Sequence, residues 1–186
     1  MCIAGVFGGL NSGVTEQTTD IFLESAYFNP TRIRRSARRH GLSTDASFRY
    51  ERGLDPNATL YALKLAALMV KELAGGEICG EPVDIYPEPV APFKVDLSLD
   101  YLRRLVGKEI PEETVAAILR SLEIETTGRE GDTLHLLVPT YRVDVQRPCD
   151  VVEDILRIYG YNNVEINDTV HSALCLLYTS PSPRDA

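Results

Sequence analysis

The chain has 186 residues, 44% hydrophobic and 25% charged, a globular composition that excludes a mainly disordered protein and suffices for one large or two small cores. Its 27 acidic and 19 basic residues give a net charge of -8, which argues against bulk coating of nucleic acid but leaves a local basic surface open. No run approaches the roughly 18 apolar residues of a membrane span, and the apolar start lacks the positive flank of a signal peptide, so a cytoplasmic location is expected.

Taken in order, Gly5 to Gly13 is glycine-rich and turn-like, and Asp20 to Phe28 is aromatic and apolar enough to predict a strand. Pro30 to His40 predicts a basic helix closed by Gly41. Asp55 to Ala74 predicts a helix with an aspartate cap, Pro56 in its first turn, and Leu60, Leu63, Ala67 and Val70 at helical spacing. Glu77 to Tyr86 reads as a returning strand. The proline-rich stretch Pro87 to Pro92 then marks a domain boundary, because residues before proline are pushed to extended geometry.

Beyond it, Phe93 to Leu97 predicts a strand, Ser98 caps a helix to Val106, and Pro111 opens a second helix with Val115, Ile118, Leu119 and Leu122 on one face. Ile124 to Thr127 and Thr133 to Val138 predict a hairpin, followed by a helix from Pro148 to Tyr159. Two helices followed by a hairpin is the order of a winged-helix-like module, and the fold class is α+β. Cys2, Cys79, Cys149 and Cys175 form no CxxC pair and read as reduced thiols rather than a zinc site or disulfide framework.

Four constellations could carry chemistry. Strand alternation places Glu24 beside Phe22, Ala26 and Phe28 on a largely apolar face, so a half-buried carboxylate is expected, either receiving a ligand hydroxyl or fixed to an arginine. Gly8 and Gly9 with Thr44, Asp45 and Ala46 are small residues that leave room for a ring, without the spacing of a phosphate loop. From Pro30 to Arg52 there are seven arginines against two acids. Arg35, Arg38 and Arg39 within this run suit phosphate, unless the helix is only solvated and paired to acids. Asp144, Asp150, Glu153 and Asp154 could supply oxygen ligands to Mg²⁺, or could be acids favoured at a helix start. The last three share one helix face, opposite Val152, Ile155 and Leu156.

Read together, GVFGG (Gly5 to Gly9), FLESAYF (Phe22 to Phe28), ARRHGLSTDASFRYERGLDP (Ala37 to Pro56) and PTYRVDV through EDILRIYGYNN (Pro139 to Asn163) resemble the β subunits of bacterial phenylalanyl-tRNA synthetases. The resemblance implies a partial B3/B4 editing domain over residues 1–90 and a winged-helix-like B5 domain over 91–166. Residues 167–186 would be a disordered tail, of which 175–186 resemble a translated sequencing adapter, and Met1 would correspond to an internal methionine. It implies an α₂β₂ enzyme that charges tRNA(Phe) with phenylalanine using ATP and Mg²⁺ and hydrolyses Tyr-tRNA(Phe). The isolated fragment would be inactive, because the family's editing histidine would lie upstream of Met1.

The family's editing pocket would fall on Gly8, Glu24, Thr44 and Ala46. Its Mg²⁺ site, shared with the α subunit, would fall on Asp144, Asp150, Glu153 and Asp154. Two departures are Phe7, where many members carry methionine, and Asp154, where glutamate is more usual. The alternative is a non-catalytic RNA-binding or subunit-assembly module.

Overall fold

The computed structural model describes residues 2–165. Met1 and residues 166–186, with Cys175 and the expected tail, lie outside the described residues. Each half of the chain has its own apolar cluster. The first is small, with Val6, Ile33 and Ala37 at its centre and Ile3, Phe28, Leu42 and Tyr50 packed around it. The second is larger and includes Val95, Leu97, Leu119, Leu136, Val151 and Ile155.

In the first half, helix α1 (Pro30–His40) starts where the Asn29 side chain accepts from the Arg32 N–H at 3.1 Å and stops at Gly41, whose φ of 63° is left-handed. These are the local signals that predict it. Helix α2 (Asp45–Tyr50) follows after four residues. Asp55 caps not a long helix but a 3₁₀ turn, Pro56–Ala58, before α3 (Thr59–Ala74). The stripe Leu60, Leu63, Ala67 and Val70 is half-buried, while Tyr61, Leu68 and Leu73 on the same helix are exposed.

Neither strand expected in this half forms. Asp20 to Phe28 and Glu77 to Tyr86 carry strand-forming side chains, but no neighbouring strand among the described residues pairs with their backbone groups. A strand needs such a partner to satisfy its ladder, so local propensity alone leaves irregular chain. Accordingly Phe22, Val83 and Ile85 stand largely exposed.

In the second half the elements are β1 (Phe93–Ser98), α4 (Leu99–Val106), α5 (Glu112–Ser121), β2 (Glu125–Glu130), β3 (Thr133–Val138) and α6 (Pro148–Tyr159). Together with the helices of the first half, this gives an α+β chain. The strands form one antiparallel sheet of order β1-β3-β2, with Val95 opposite Leu136 and Leu97 opposite Leu134. Alternation turns Val95 and Leu97 inward, where α6 packs against β1, α4 and α5.

The hairpin loop also caps α4. The Asp132 carboxylate accepts from the Ser98 hydroxyl and from the Asp100 N–H, each at 2.8 Å, and Ser98 accepts from the Tyr101 N–H at 3.1 Å. These donors hold the Asp132 carboxyl below its ordinary value of 3.8. A carboxyl depressed in the folded state stabilises fully above the unfolded value and loses that contribution as pH falls through the folded one. Protection of the α4 amides, taken relative to intrinsic exchange at each pH, should therefore fall on acidification below the ordinary carboxylate range, with Asp132→Asn removing that part of the pH response. An unchanged response in the variant would assign the acid sensitivity elsewhere.

The halves meet at a polar junction. The Thr140 hydroxyl donates to Asp55 Oδ1 at 2.6 Å and accepts from Asn57 Nδ2 at 3.0 Å. The Tyr86 hydroxyl donates to Asn57 Oδ1 at 3.0 Å and accepts from the Val90 N–H at 2.8 Å. Beside this network Gly53 has φ of 91°, and a Cβ there would lie 3.1 Å from Val143 Cγ2. Both its conformation and its close neighbour favour glycine.

Candidate functional site

Three stretches far apart in sequence surround one cleft of about 470 Å³, open to solvent. Residues 2–8 contribute the turn, the next segment contributes Glu24 and Phe28, and the start of α2 contributes Thr44, Asp45 and Ala46 with Tyr50. Gly8, Glu24, Thr44 and Ala46 thus line the same space, whose size is that of a small-molecule site.

The turn is built on Gly5, at φ of 67°. A Cβ at Gly5 would lie 2.7 Å from both Ile33 Cδ1 and Phe28 Cδ2, so the turn can rest on α1 only because this side chain is missing. Val6 fills the small core, and an Ile3–Phe7 bridge closes the turn. A Cβ at Gly8 would meet no atom within 4 Å, so this edge of the cleft that Glu24 and Ala46 also line is open.

Glu24 differs from the expectation of half burial. It is exposed, because the segment that carries it runs without a sheet to cover either face. Among the described residues no basic side chain forms an ion pair with it. Its charge nonetheless reaches across the cleft: the half-buried Tyr50 phenol is pushed up first by burial and then by Glu24. Phe28 meets Tyr50 edge-on, with ring centroids 4.9 Å apart.

Thr44 is held by hydrogen bonds on both sides. Its hydroxyl donates to the Val6 carbonyl at 2.5 Å and accepts from the Ser47 N–H at 3.1 Å. Tyr50, which lines the cleft, and the buried Ser47 behind Thr44 were not legible in the sequence. The one available signal was Thr44 followed three residues later by Ser47, a capping pattern that announces α2.

The outer face of α1 is basic. Arg35, Arg38 and Arg39 are exposed, and among the described residues none has an acidic partner. Arg52 is engaged instead, lying 3.4 Å from the Phe48 ring centroid and donating to the Phe48 carbonyl at 2.7 Å. The inner face of the same helix places Ile33 beneath Gly5, so one element supports the cleft and carries the arginines.

The acidic set in the second half is not gathered. Asp150 accepts from the Arg147 N–H at 2.9 Å, the Gln146 N–H at 3.2 Å and the Arg147 guanidinium at 2.8 Å, which holds its carboxyl down to about 2. Glu153 pairs with Arg157 at 2.6 Å. Asp154 is buried rather than part of an exposed acidic face, because Arg142 from the preceding loop reaches it at 2.5 Å. Among the described residues no group of three or more His, Cys, Asp or Glu is placed to hold a metal ion. Asp150, Glu153 and Asp154 are each engaged by a different arginine, and Asp144 makes no side-chain hydrogen bond or ion pair among the described residues, so the set does not fit a Mg²⁺ ion held by this chain alone.

The B3/4 domain family matches residues 1–75, and the tRNA synthetase B5 domain family matches residues 95–161. The phenylalanine-tRNA ligase beta subunits of Bacteroides fragilis (strain YCH46) and Bacteroides thetaiotaomicron are each 63% identical over 94% of this chain. That of Syntrophus aciditrophicus is 44% identical over all of it. The chain spans 21% of the length of the Bacteroides relatives and 23% of the Syntrophus one. Among the described residues no helix is long and apolar enough to cross a membrane.

Proposed function

Because the chain belongs to the phenylalanine-tRNA ligase β-subunit family, of which it carries B3/4 and B5 segments, we propose that its cleft removes tyrosine from mischarged tRNA(Phe). The setting is an α₂β₂ enzyme of the cytoplasm that charges tRNA(Phe) with phenylalanine using ATP and Mg²⁺. The observation that carries the editing assignment is that Gly8, Glu24, Thr44 and Ala46 line one cleft, with Glu24 free of any ion pair among the described residues.

The tyrosine ring occupies the space left beside Ala46 and Gly8, and its phenol hydroxyl donates to the Glu24 carboxylate. A phenylalanine ring offers no donor, so Glu24 loses that interaction and the correct product is bound less well. Since Glu24 is exposed, water can still reach it when phenylalanine is bound. The hydrogen bond then contributes within the ~1.5–3 kcal/mol range for a bond to a charged group, without the added penalty of a buried, unpaired carboxylate. Water attacks the ester carbonyl, the bond to the ribose oxygen breaks, and tyrosine and tRNA separate. No protein nucleophile is needed, and the Thr44 hydroxyl is already engaged.

The B5 segment, a winged-helix-like module within residues 91–166, serves the architecture of the assembly with the α subunit, while residues 1–90 form the editing part. Arg35, Arg38 and Arg39 hold the phosphates of the tRNA end that enters the cleft. Their lack of acidic partners also favours a second reading, an RNA-binding module without catalysis. Replacing Arg35 and Arg39 with alanine in the full-length subunit should weaken tRNA binding and flatten its salt dependence. The logarithmic slope should shrink by about 0.7 to 0.9 for each phosphate that is no longer neutralised. A slope indifferent to both substitutions would remove the arginines from the RNA interface. Deacylation of Tyr-tRNA(Phe) by the full-length subunit with its α partner separates the editing reading from RNA binding alone.

A further inference from the structure

We propose that Ser47, which does not line the cleft, is a positioning residue for it, acting with Thr44 as a clamp between α2 and the Gly5–Gly8 turn. The inference rests on the editing reading only for its effect on rate. The clamp itself stands on geometry. The Ser47 side chain is buried, with the residue 2% exposed, and its hydroxyl donates to the Thr44 carbonyl and accepts from the Thr44 N–H, each at 2.9 Å. The Ser47 N–H donates to Thr44 Oγ1 at 3.1 Å. That leaves the Thr44 hydroxyl hydrogen directed to the Val6 carbonyl at 2.5 Å, joining residues 38 apart in sequence.

A hydroxyl has one hydrogen to donate. Thr44 gives its hydrogen to Val6 and Ser47 gives its own back to Thr44, so neither is available to orient a water or polarise an ester. What the pair does is fix the distance between the two sides of the cleft. Val6, which receives the clamp, is 1% exposed and lies two residues before Gly8, while Ala46 lies two residues after Thr44. No other side-chain hydrogen bond among the described residues joins α2 to the turn. Removing either hydroxyl therefore releases the same link.

The test is a double-mutant cycle in the full-length subunit with its α partner. Thr44→Val, Ser47→Ala and the pair are measured by amide exchange in residues 3–8 and by Tyr-tRNA(Phe) deacylation. Each single variant should accelerate exchange in the turn and lower kcat/KM about tenfold, and the double variant should lose no more than either single one. Thr44→Ser, which keeps the hydroxyl, should retain the parent's exchange in residues 3–8.

Three results would overturn the proposal: unchanged exchange in Ser47→Ala, losses that multiply in the double variant, or deacylation lost in Thr44→Val while Ser47→Ala stays active. The last would place Thr44 directly against the substrate. If exchange responds as expected but the parent enzyme releases no tyrosine, the clamp stands and the editing reading fails.

Discussion

Glu24→Ala in the full-length enzyme is expected to slow release of tyrosine from Tyr-tRNA(Phe) by about ten- to a hundredfold while leaving phenylalanine charging intact. The magnitude corresponds to ~1.5–3 kcal/mol, the range for a hydrogen bond to a charged group. The effect should be confined to chemistry. Glu24 is exposed and, among the described residues, makes no ion pair or side-chain hydrogen bond, so removing it disturbs nothing that holds the fold. Surface changes of that kind shift stability within about 0.5 kcal/mol. Glu24→Gln keeps an acceptor without the charge and should fall between alanine and the parent. Parallel initial rates of deacylation and of charging check the result. Loss of both activities together would instead indicate damage to the assembly.

Arg142→Ala should be the most damaging single change to the second half, lowering the protection of α6 amides by about 3–5 kcal/mol, the cost of stranding one member of a buried ion pair. Asp154 is 5% exposed, between the fully buried Val151 and Ile155. Its carboxyl is already raised by desolvation and, more weakly, by Asp144, while Arg142 opposes the shift. Without Arg142 it rises further. A carboxyl raised in the folded state costs stability as pH climbs through the interval between its unfolded and folded values. The variant should therefore regain part of the loss on acidification towards the raised value, which exchange at two pH values would show. Replacing both partners with apolar side chains should restore most of the protection. A loss below about 1 kcal/mol in Arg142→Ala would mean that water solvates the pair and that Asp154 is free for another ligand.

The elements legible in the sequence were those whose ends are written in neighbouring residues. Asn29 and Gly41 delimit α1, Ser98 starts α4, and Pro148 opens α6 within the residues expected. The two missing strands, around Glu24 and around Cys79, depend on a pairing partner, which propensity cannot supply. Helix α2 was too short for periodicity to register, although its cap was visible at Thr44 and Ser47. Asp154 reads as one of an acidic stripe because the arginine that draws it inward comes from a loop twelve residues earlier. Residue type suggested Glu24 as a hydroxyl acceptor and Gly8, Thr44 and Ala46 as space for a ring, but only family resemblance joined the two sets, because the four residues share no spacing rule. Tertiary packing of the turn, the irregular segment and α2 brings them together.

The most direct test of the central claim is the pair of deacylation rates for Tyr-tRNA(Phe) and Phe-tRNA(Phe), measured on the full-length β subunit with its α partner. The account predicts faster release of tyrosine, with the preference abolished by Glu24→Ala. Equal rates for the two esters, or a preference that survives the substitution, would contradict it and leave the cleft without the proposed role.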